Sequence, residues 1–260
     1  MSETVRVIRD NEIAQVILNR PEAFNSFDFE MIDAVARATV ELAWANTVRG
    51  IVISGEGRAF CAGGDLKWVG NFPTGPGAAF HKLAASFHQM ILEIRRMRKP
   101  VIAAVNGVAA GAGFSIALAC DFRVMDETAT LRQAYTSSGL CLDGAGSFTL
   151  PRLVGLARAM EIAAFDAPIP ADKALSWGLV TKVVPQGKAV EEALNMAHEL
   201  SQNSINSFAW AKQLLTDSYN TFFETQIEHE RTGLSACAES PDGREGIKAF
   251  KEKRKPVFMQ

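Results

Sequence analysis

Two loops of small residues, each directly after a hydrophobic strand-like run, constrain this chain most. The first covers Arg58–Leu66 and follows the apolar run of residues 49–54; the second covers Asn106–Gly113 and follows the run 100–105. Glycine and alanine leave the backbone N–H groups of such loops accessible, because no bulky side chain stands in the way. Two converging N–H groups form an oxyanion hole, which stabilises negative charge on a carbonyl oxygen. The pattern therefore predicts carbonyl chemistry in one cleft between the two loops.

Strand-like and helical patterns alternate up to about residue 185, and only helical patterns follow. Strands are predicted at residues 5–9, 13–18, 49–54, 101–105, 122–125, 130–135 and 179–184. Helices are predicted at residues 29–47, 78–98, 112–119, 147–154, 156–165, 171–177, 188–203, 205–220, 221–238 and 242–254. The segment 70–77, with two prolines and three glycines, is predicted to be mobile and irregular. This order predicts an α/β protein with a helical appendage, divided into residues 1–190 and 191–260.

The overall charge and the cysteines exclude several classes of function. The net charge of −2 gives no electrostatic basis for binding nucleic acid or an anionic membrane. Cys61, Cys120, Cys141 and Cys237 are scattered without metal-ligand spacing, which is typical of reduced cytosolic thiols. No apolar stretch reaches membrane-spanning length, and the N-terminus has no signal-peptide pattern. We therefore expect a cytoplasmic protein without a metal site.

Seven segments, in order along the chain, resemble the crotonase superfamily, which is the enoyl-CoA hydratase/isomerase family. They are residues 19–25, 60–66, 99–108, 119–123, 150–155, 177–180 and 252–256. The resemblance covers nearly the whole chain and implies ββα turns wound into a spiral. It also implies a helical C-terminal region used for trimer formation, often in a dimer of trimers. The implied substrate is an acyl-CoA thioester, with coenzyme A as part of the substrate and no separate cofactor.

The resemblance also assigns binding residues by position. The oxyanion donors would be the backbone N–H groups of Gly64 and Ala112; related proteins more often have glycine at the second position, but alanine carries the same donor. The coenzyme A groove would contain Glu22, Ala23, Ser26, Ala62, Asp65, Leu66 and Lys67. Phe250 and Lys253 would approach the nucleotide end, where Lys253 would supply a local cation.

For the catalytic acid or base, this chain departs from the pattern that it resembles, because the two glutamates of a typical hydratase are absent. Ser115 and Tyr135 occupy their positions, so water addition by two carboxylates is not supported. Asp143 is the remaining acid. In the ring-forming and double-bond isomerases of aromatic acid degradation that this chain resembles, an aspartate at this position shuttles a proton. In the resembling 4-chlorobenzoyl-CoA dehalogenase, an aspartate at the matching place attacks the aromatic ring instead.

His88 falls on the catalytic base of the dehalogenase that this chain resembles. However, that enzyme has a tryptophan at the position of Tyr135 and a bulky aromatic residue at that of Gly64. The preferred hypothesis is therefore an enoyl-CoA isomerase that uses Asp143. An enoyl-CoA hydratase, a dehalogenase-like hydrolase and a non-catalytic acyl-CoA-binding module remain open. Without the family pattern, Asp143 would be a turn residue, His88 an ordinary helix histidine and Tyr135 a pocket wall.

Overall fold

The computed structural model describes residues 4–258, which form two β-sheets and ten α-helices in that range. The strands are β1 (Val5–Asp10), β2 (Ile13–Leu18), β3 (Gly50–Gly55), β4 (Ala59–Cys61), β5 (Val101–Val105), β6 (Val108–Ala110), β7 (Phe122–Asp126), β8 (Thr130–Arg132), β9 (Ile169–Pro170) and β10 (Lys182–Val184). The helices are α1 (Phe29–Trp44), α2 (Leu66–Gly70), α3 (Pro76–Arg96), α4 (Ala112–Ala119), α5 (Gly146–Phe165), α6 (Ala171–Ser176), α7 (Ala189–Ser201), α8 (Ile205–Asp217), α9 (Phe223–Glu239) and α10 (Pro241–Glu252). Short 3₁₀ turns occupy Pro21–Ala23, Thr136–Ser138 and Ser218–Asn220.

From β3 to β8, successive strands alternate between the two sheets. The larger sheet has the order β1-β2-β3-β5-β7-β10, and the smaller sheet has the order β4-β6-β8-β9. The chain thus passes from β3 to β4, from β5 to β6 and from β7 to β8, with helices between these pairs. Apart from the β1–β2 hairpin and the β8–β9 pair, all pairings are parallel. This is the ββα spiral that the resemblance implies.

The central strands are buried on both faces, which explains their continuous apolar sequence. Strands β3 and β5 are fully buried along their length. On one face, Ile53 and Ala103 belong to a core that includes Phe60 and Phe114. On the other face, Val52 and Ile102 pack against the alanines of α7. The strands β3 and β5, from which the chain enters the two loops, are therefore held by packing on both faces of the sheet.

The helix α7 straddles the predicted division between residues 190 and 191. Its Ala193 and Ala197 are fully buried against the larger sheet. Beyond α7, the segment that contains α8, α9 and α10 carries large exposed apolar side chains, including Phe222, Phe223 and Leu234. The two-part division of the chain stays a prediction.

Several predicted boundaries were wrong. The strand predicted at 179–184 is regular only over β10, and the strand predicted at 130–135 ends at Arg132, since Ala134 adopts a left-handed backbone with φ of 53°. Helix α1 ends at Trp44 rather than near residue 47. Within the segment predicted as irregular, α3 already begins at Pro76, where proline suits the first turn of a helix. The helices predicted at 147–154 and 156–165 form one element with a non-helical break at Gly155.

The short strands β4, β6 and β9 were not predicted. Each has only two or three residues, which is too short for a periodic pattern. Strands β4 and β6 lie within or beside the two glycine-rich loops and pair with each other. The smaller sheet therefore joins the two loops directly.

Candidate active site

The backbone N–H of Gly64 points away from the neighbouring segment that contains Phe27. Phe27 forms a parallel bridge to Gly64, in which the Phe27 N–H donates to Gly63 O at 2.7 Å and Phe27 O accepts from the Asp65 N–H at 2.8 Å. In such a bridge the intervening residue directs its own N–H and C=O to the opposite side. The Gly64 N–H therefore faces the cavity that Gly64 lines.

Ala112 supplies the second N–H because it is the first residue of α4. The first N–H groups of a helix have no intrahelical acceptor, and the helix dipole makes this end favourable for negative charge. The chain enters α4 through Gly111, whose φ of 54° suits glycine far better than other residues. Within residues 4–258, neither the Gly64 nor the Ala112 N–H donates to another group.

The two loops touch through their backbones. A Cβ atom added to Gly113 would lie 2.1 Å from the carbonyl oxygen of Cys61, so only glycine fits there. A Cβ on Gly63 would lie 3.4 Å from the Ala112 nitrogen. The buried Cys61 thiol accepts a hydrogen bond from the Gly63 N–H at 3.4 Å, and burial raises its pKa to about 12. At neutral pH, Cys61 is thus a protonated packing residue of this junction.

A cavity of about 510 Å³ opens beside both N–H groups. Six of the predicted site residues line it: Ala62, Gly64, Leu66, Ala112, Tyr135 and Asp143. Further apolar wall comes from Phe27, Phe80, Leu83, Ala84 and Phe87, together with Leu140. An apolar cleft with a few polar groups at one place is the usual form of a small-molecule site.

His88 and Asp143 form a hydrogen-bonded pair at this cavity. The Nε2 atom of His88, on α3, lies 2.6 Å from Oδ1 of Asp143, in the loop before α5. The side chain of Asp143 is 38% exposed and that of His88 is 53% exposed, so both groups are accessible to solvent. His88 contacts one carboxylate oxygen, and Oδ2 has no partner within residues 4–258. The second oxygen is therefore available to a bound molecule.

Ser115 and Tyr135 are buried beside Asp143. The Ser115 hydroxyl donates to the backbone carbonyl oxygen of Asp143 at 2.7 Å and lies 3.3 Å from the Tyr135 hydroxyl. Burial raises the pKa of Tyr135 well above its ordinary value, although the contact with Ser115 opposes this effect. Tyr135 is thus a neutral phenol at neutral pH. The positions that hold glutamates in a typical hydratase here hold two neutral hydroxyl groups.

Asp65 has a structural role at the edge of the cavity. Its carboxylate caps α2 by accepting from the Lys67 and Trp68 N–H groups, and it pairs with Arg20 at 3.1 Å. Burial acts to raise the pKa of Asp65, but these hydrogen bonds and the Arg20 charge outweigh it and hold the pKa below the ordinary value. Asp65 therefore remains ionised and fixes the first loop to α2.

The predicted groove residues Glu22, Ala23 and Ser26 lie on a turn next to the first loop. The Ala62 N–H donates to Phe24 O at 3.0 Å, which ties this turn to the loop. Lys67 is exposed on α2, outside the cavity lining. Phe250 is 86% exposed on α10, and Lys253 ends that helix; neither lines the cavity within this chain. Binding of coenzyme A by these residues stays a prediction.

The sequence indicated that the helix after residue 77 shapes the acyl pocket, but it did not single out the residues of α3 that form the wall. Gly77, Phe80, His81, Ala84 and Phe87 line the cavity, together with Leu83. Their spacing of three and four residues along one helix is the signal that could have found them, because such residues share a face. Cys141, which is exposed, also lines the cavity. Within residues 4–258, no group of three His, Cys, Asp or Glu side chains gathers to hold a metal ion.

Comparisons with known proteins place this geometry in a family. The family described as Enoyl-CoA hydratase/isomerase matches residues 9–260. The chain belongs to the enoyl-CoA hydratase/isomerase family. Relatives include the 1,2-epoxyphenylacetyl-CoA isomerase of Escherichia coli, 34% identical over 95% of this chain and 94% of that protein. A probable enoyl-CoA hydratase of Rhodobacter capsulatus is 35% identical over 98% of this chain and 97% of that protein.

Solved structures of the enoyl-CoA hydratase/isomerase family share the fold. The crystal structure of an enoyl-CoA hydratase from a Polaromonas species has a TM-score of 0.93 and 35% identity, covering 98% of this chain and 99% of that one. As a member of this family of enzymes, the chain fits an acyl-CoA thioester substrate. No helix within residues 4–258 is long and apolar enough to cross a membrane.

Proposed function

We propose that this protein is an enoyl-CoA isomerase, which moves a carbon–carbon double bond of its acyl chain by proton transfer through Asp143. One observation carries this proposal. The Asp143 carboxylate lines the same cavity as Gly64 and Ala112, while Ser115 and Tyr135 bring no second carboxylate. A single acid–base group opposite an oxyanion hole suits a reaction in which one proton leaves the chain and one returns.

The reaction begins with the thioester oxygen between the Gly64 and Ala112 N–H groups. These donors make the α-carbon more acidic, because they stabilise the charge that its deprotonation places on the oxygen. In a 3-enoyl thioester, Asp143 takes a proton from the α-carbon, and the electron pair spreads into a dienolate. The protonated Asp143 then gives the proton to the γ-carbon, and the double bond lies next to the carbonyl. Proton and charge balance without a further reactant.

His88 supports Asp143 in this scheme. Its Nε2–H donates to Oδ1, which fixes the carboxylate and leaves Oδ2 to exchange the proton with substrate. A hydrogen bond to a charged group contributes more than one between neutral groups. The apolar wall of Phe27, Phe80 and Phe87 keeps water away from the dienolate and suits an unsaturated or ring-containing acyl group. The Escherichia coli relative is named for a phenylacetyl-CoA derivative, which supports including such esters among the candidates.

The test is a panel of CoA esters with product identification. Straight-chain 3-enoyl, 2-enoyl, phenylacetyl-type and chloroaromatic thioesters are incubated with the protein, and the products are analysed by mass spectrometry. An isomerase gives a product of unchanged mass with a shifted double bond, and a 3-enoyl ester deuterated at the α-carbon should carry part of that deuterium to the γ-carbon of the product. Hydration of 2-enoyl esters without isomerisation of any 3-enoyl ester would reject the proposal.

Hydration is the second candidate, because one observation favours it. The His88–Asp143 pair is partly exposed to solvent, and a carboxylate held by a histidine can also activate water. The product would then carry the mass of one added water. Loss of chloride from a chloroaromatic ester would indicate a dehalogenase-like hydrolase. Tight acyl-CoA binding without turnover of any ester would indicate a binding module.

The proposed assembly is a homotrimer or a dimer of trimers, formed through the C-terminal helices, in the cytoplasm. Leu215, Phe222, Phe223 and Leu234 are each more than two-thirds exposed in the single chain, and such exposed apolar surface is typical of an interface. Sedimentation analysis tests this assembly directly. A monomer at micromolar concentration would contradict it. We expect activity without an added cofactor, which dialysis against a chelator tests.

A further inference from the structure

We infer that Ser115 is a positioning residue for Asp143, and that a glutamate at position 115 and the observed Asp143 loop exclude each other. The Asp143 loop comprises residues 139–146. This inference deepens the proposed function and rests on it for the catalytic consequence. The structural part, that Ser115 holds the loop in place, stands on the geometry alone.

The hydrogen bonds at Ser115 have a defined direction. A serine hydroxyl has one proton to donate. At Ser115 this proton goes to the carbonyl oxygen of Asp143, 2.7 Å away. In the longer contact of 3.3 Å, Tyr135 must therefore be the donor and Ser115 the acceptor. The result is a directed chain from Tyr135 through Ser115 to the backbone of the residue that carries the proposed base.

The Asp143 loop packs closely on Ser115. Gly144 has φ of 57°, and a Cβ there would lie 3.0 Å from Ser115 Cβ and 2.4 Å from the Phe87 ring. A Cβ on Gly146 would lie 3.1 Å from Ser115 Oγ. The loop backbone therefore passes directly over Ser115, which is fully buried. No space remains there for the longer side chain of glutamate, in which a second methylene group and a carboxylate take the place of the hydroxyl.

Helix α4 links this contact to the oxyanion hole. Ser115 lies in the first turn of α4, and its N–H donates to Gly111 O at 3.1 Å. The same turn begins with Ala112 and contains Gly113, which is locked against Cys61. Ser115 thus fixes the Asp143 backbone relative to the donors that hold the substrate oxygen. The distance between the base and the oxyanion hole therefore depends on this hydroxyl together with the His88 contact.

A glutamate at position 115 must displace the Asp143 loop, because its carboxylate would fill the space of Gly144 and Gly146. Such a variant loses the Asp143 base, and Tyr135 still provides no second carboxylate. The chain cannot hold the helix carboxylate and the loop carboxylate at the same time.

The experiment compares Ser115→Ala, Ser115→Cys and Ser115→Glu with the wild type. We expect Ser115→Ala to lower kcat for isomerisation by about 10- to 100-fold with little change in KM, since misplacement of a catalytic group has effects of this size. Ser115→Cys, which keeps a weak donor, should recover part of the loss. Ser115→Glu should lose isomerisation more completely and gain no hydration of 2-enoyl esters. Ser201→Ala is the matched control, because it removes an equally buried serine hydroxyl at the end of α7, away from the cavity.

Amide hydrogen exchange of residues 139–146 tests whether Ser115 holds the Asp143 loop in place, and this test does not depend on the proposed isomerase activity. Ser115→Ala should raise exchange in this segment by at least about tenfold, whereas Ser201→Ala should leave it unchanged. Unchanged exchange and a wild-type kcat in Ser115→Ala would overturn the inference while the isomerase proposal stands. Isomerisation that persists in Ser115→Glu would overturn the mutual exclusion. Faster exchange in Ser115→Ala, combined with a wild-type protein that isomerises no ester, would support the role of Ser115 in holding the Asp143 loop. That result would reject only the proposed function.

Discussion

The imidazole Nε2 of His88 lies 2.6 Å from Oδ1 of Asp143, and this contact joins two segments that are 55 residues apart in the chain. One partner belongs to the long helix α3, and the other to a loop with no regular structure. The helix thereby supplies a rigid support for an otherwise loop-borne carboxylate. A carboxylate fixed in this way can exchange protons with substrate in one defined direction.

Replacing Asp143 by asparagine should abolish most of the isomerisation. The amide has nearly the same shape but cannot take up the proton, so we expect kcat to fall by about 10²- to 10⁴-fold. Stopped-flow or endpoint assays on 3-enoyl-CoA esters measure this loss. Binding of an unreactive saturated acyl-CoA by calorimetry is the control and should change little. Full activity of Asp143→Asn would show that another group moves the proton.

Substitutions of His88 should separate support of Asp143 from direct catalysis. His88→Phe removes the donor to a charged group, and we expect kcat to fall by about 10- to 100-fold. His88→Gln keeps an N–H donor at a similar reach and should retain a larger share of the activity. The ratio of the two rates is the measurement. Equal, severe losses in both variants would instead indicate that His88 itself transfers a proton.

Proline at position 112 should remove one oxyanion donor without breaking the fold. Proline is well tolerated at the first position of a helix, and there it has no N–H to donate. Loss of such a donor costs about 2.7–4 kcal/mol of transition-state stabilisation, so kcat should fall by at least about 100-fold. Urea unfolding should show a stability close to that of the wild type. A fully active Ala112→Pro variant would place the substrate oxygen elsewhere.

Alanine at position 113 should destabilise the whole protein. The new Cβ would lie 2.1 Å from the carbonyl oxygen of Cys61, so the two loops would have to separate. We expect the free energy of unfolding to fall by about 3 kcal/mol or more. Gly70→Ala is the control, because a Cβ there meets nothing within 4 Å. Similar unfolding curves for both variants would contradict the contact between the loops.

The charge of Asp65 should contribute to stability in a defined pH range. Its pKa lies below the ordinary value of 3.8, so the contribution is complete above that pH and is lost as the pH falls through the lower folded-state pKa. Asp65→Asn keeps the helix cap but removes the charge, and we expect it to cost about 1 kcal/mol at neutral pH. The gap between variant and wild type should narrow near pH 3 and below. A gap that is constant with pH would show that the charge is not responsible.

The long, periodic elements and the two loops could be predicted from the sequence, while the short strands could not. The sequence patterns of helix α3 and of strands β3 and β5 are continuous, so the local sequence alone predicts these elements. The strand from Lys182 to Val184 is shorter than its apolar run, because only those residues meet a partner in β7. Pairing across the chain, which no local pattern contains, decides such boundaries.

The candidate site was predicted in part. Asp143 and His88 were each singled out, but their contact was not predictable, because it depends on how α3 packs beside the Asp143 loop. The role of Ser115 was also invisible, since a buried serine on a small-residue helix suggests only packing. Asp65 was expected in the coenzyme A groove, and its ties to Arg20 and α2 emerged only from the three-dimensional arrangement.

The backbone contact between Gly113 and Cys61 has a consequence for protein engineering. Because it locks the two donor loops together, the point where a thioester carbonyl would bind is a fixed reference in the molecule. The face of α3 and the segment 133–146 surround that point without forming it. A mutant library aimed at new acyl-CoA reactions should therefore randomise the surrounding positions and leave residues 61–64 and 111–113 unchanged. Diversity introduced at the junction itself would mostly yield unfolded chains.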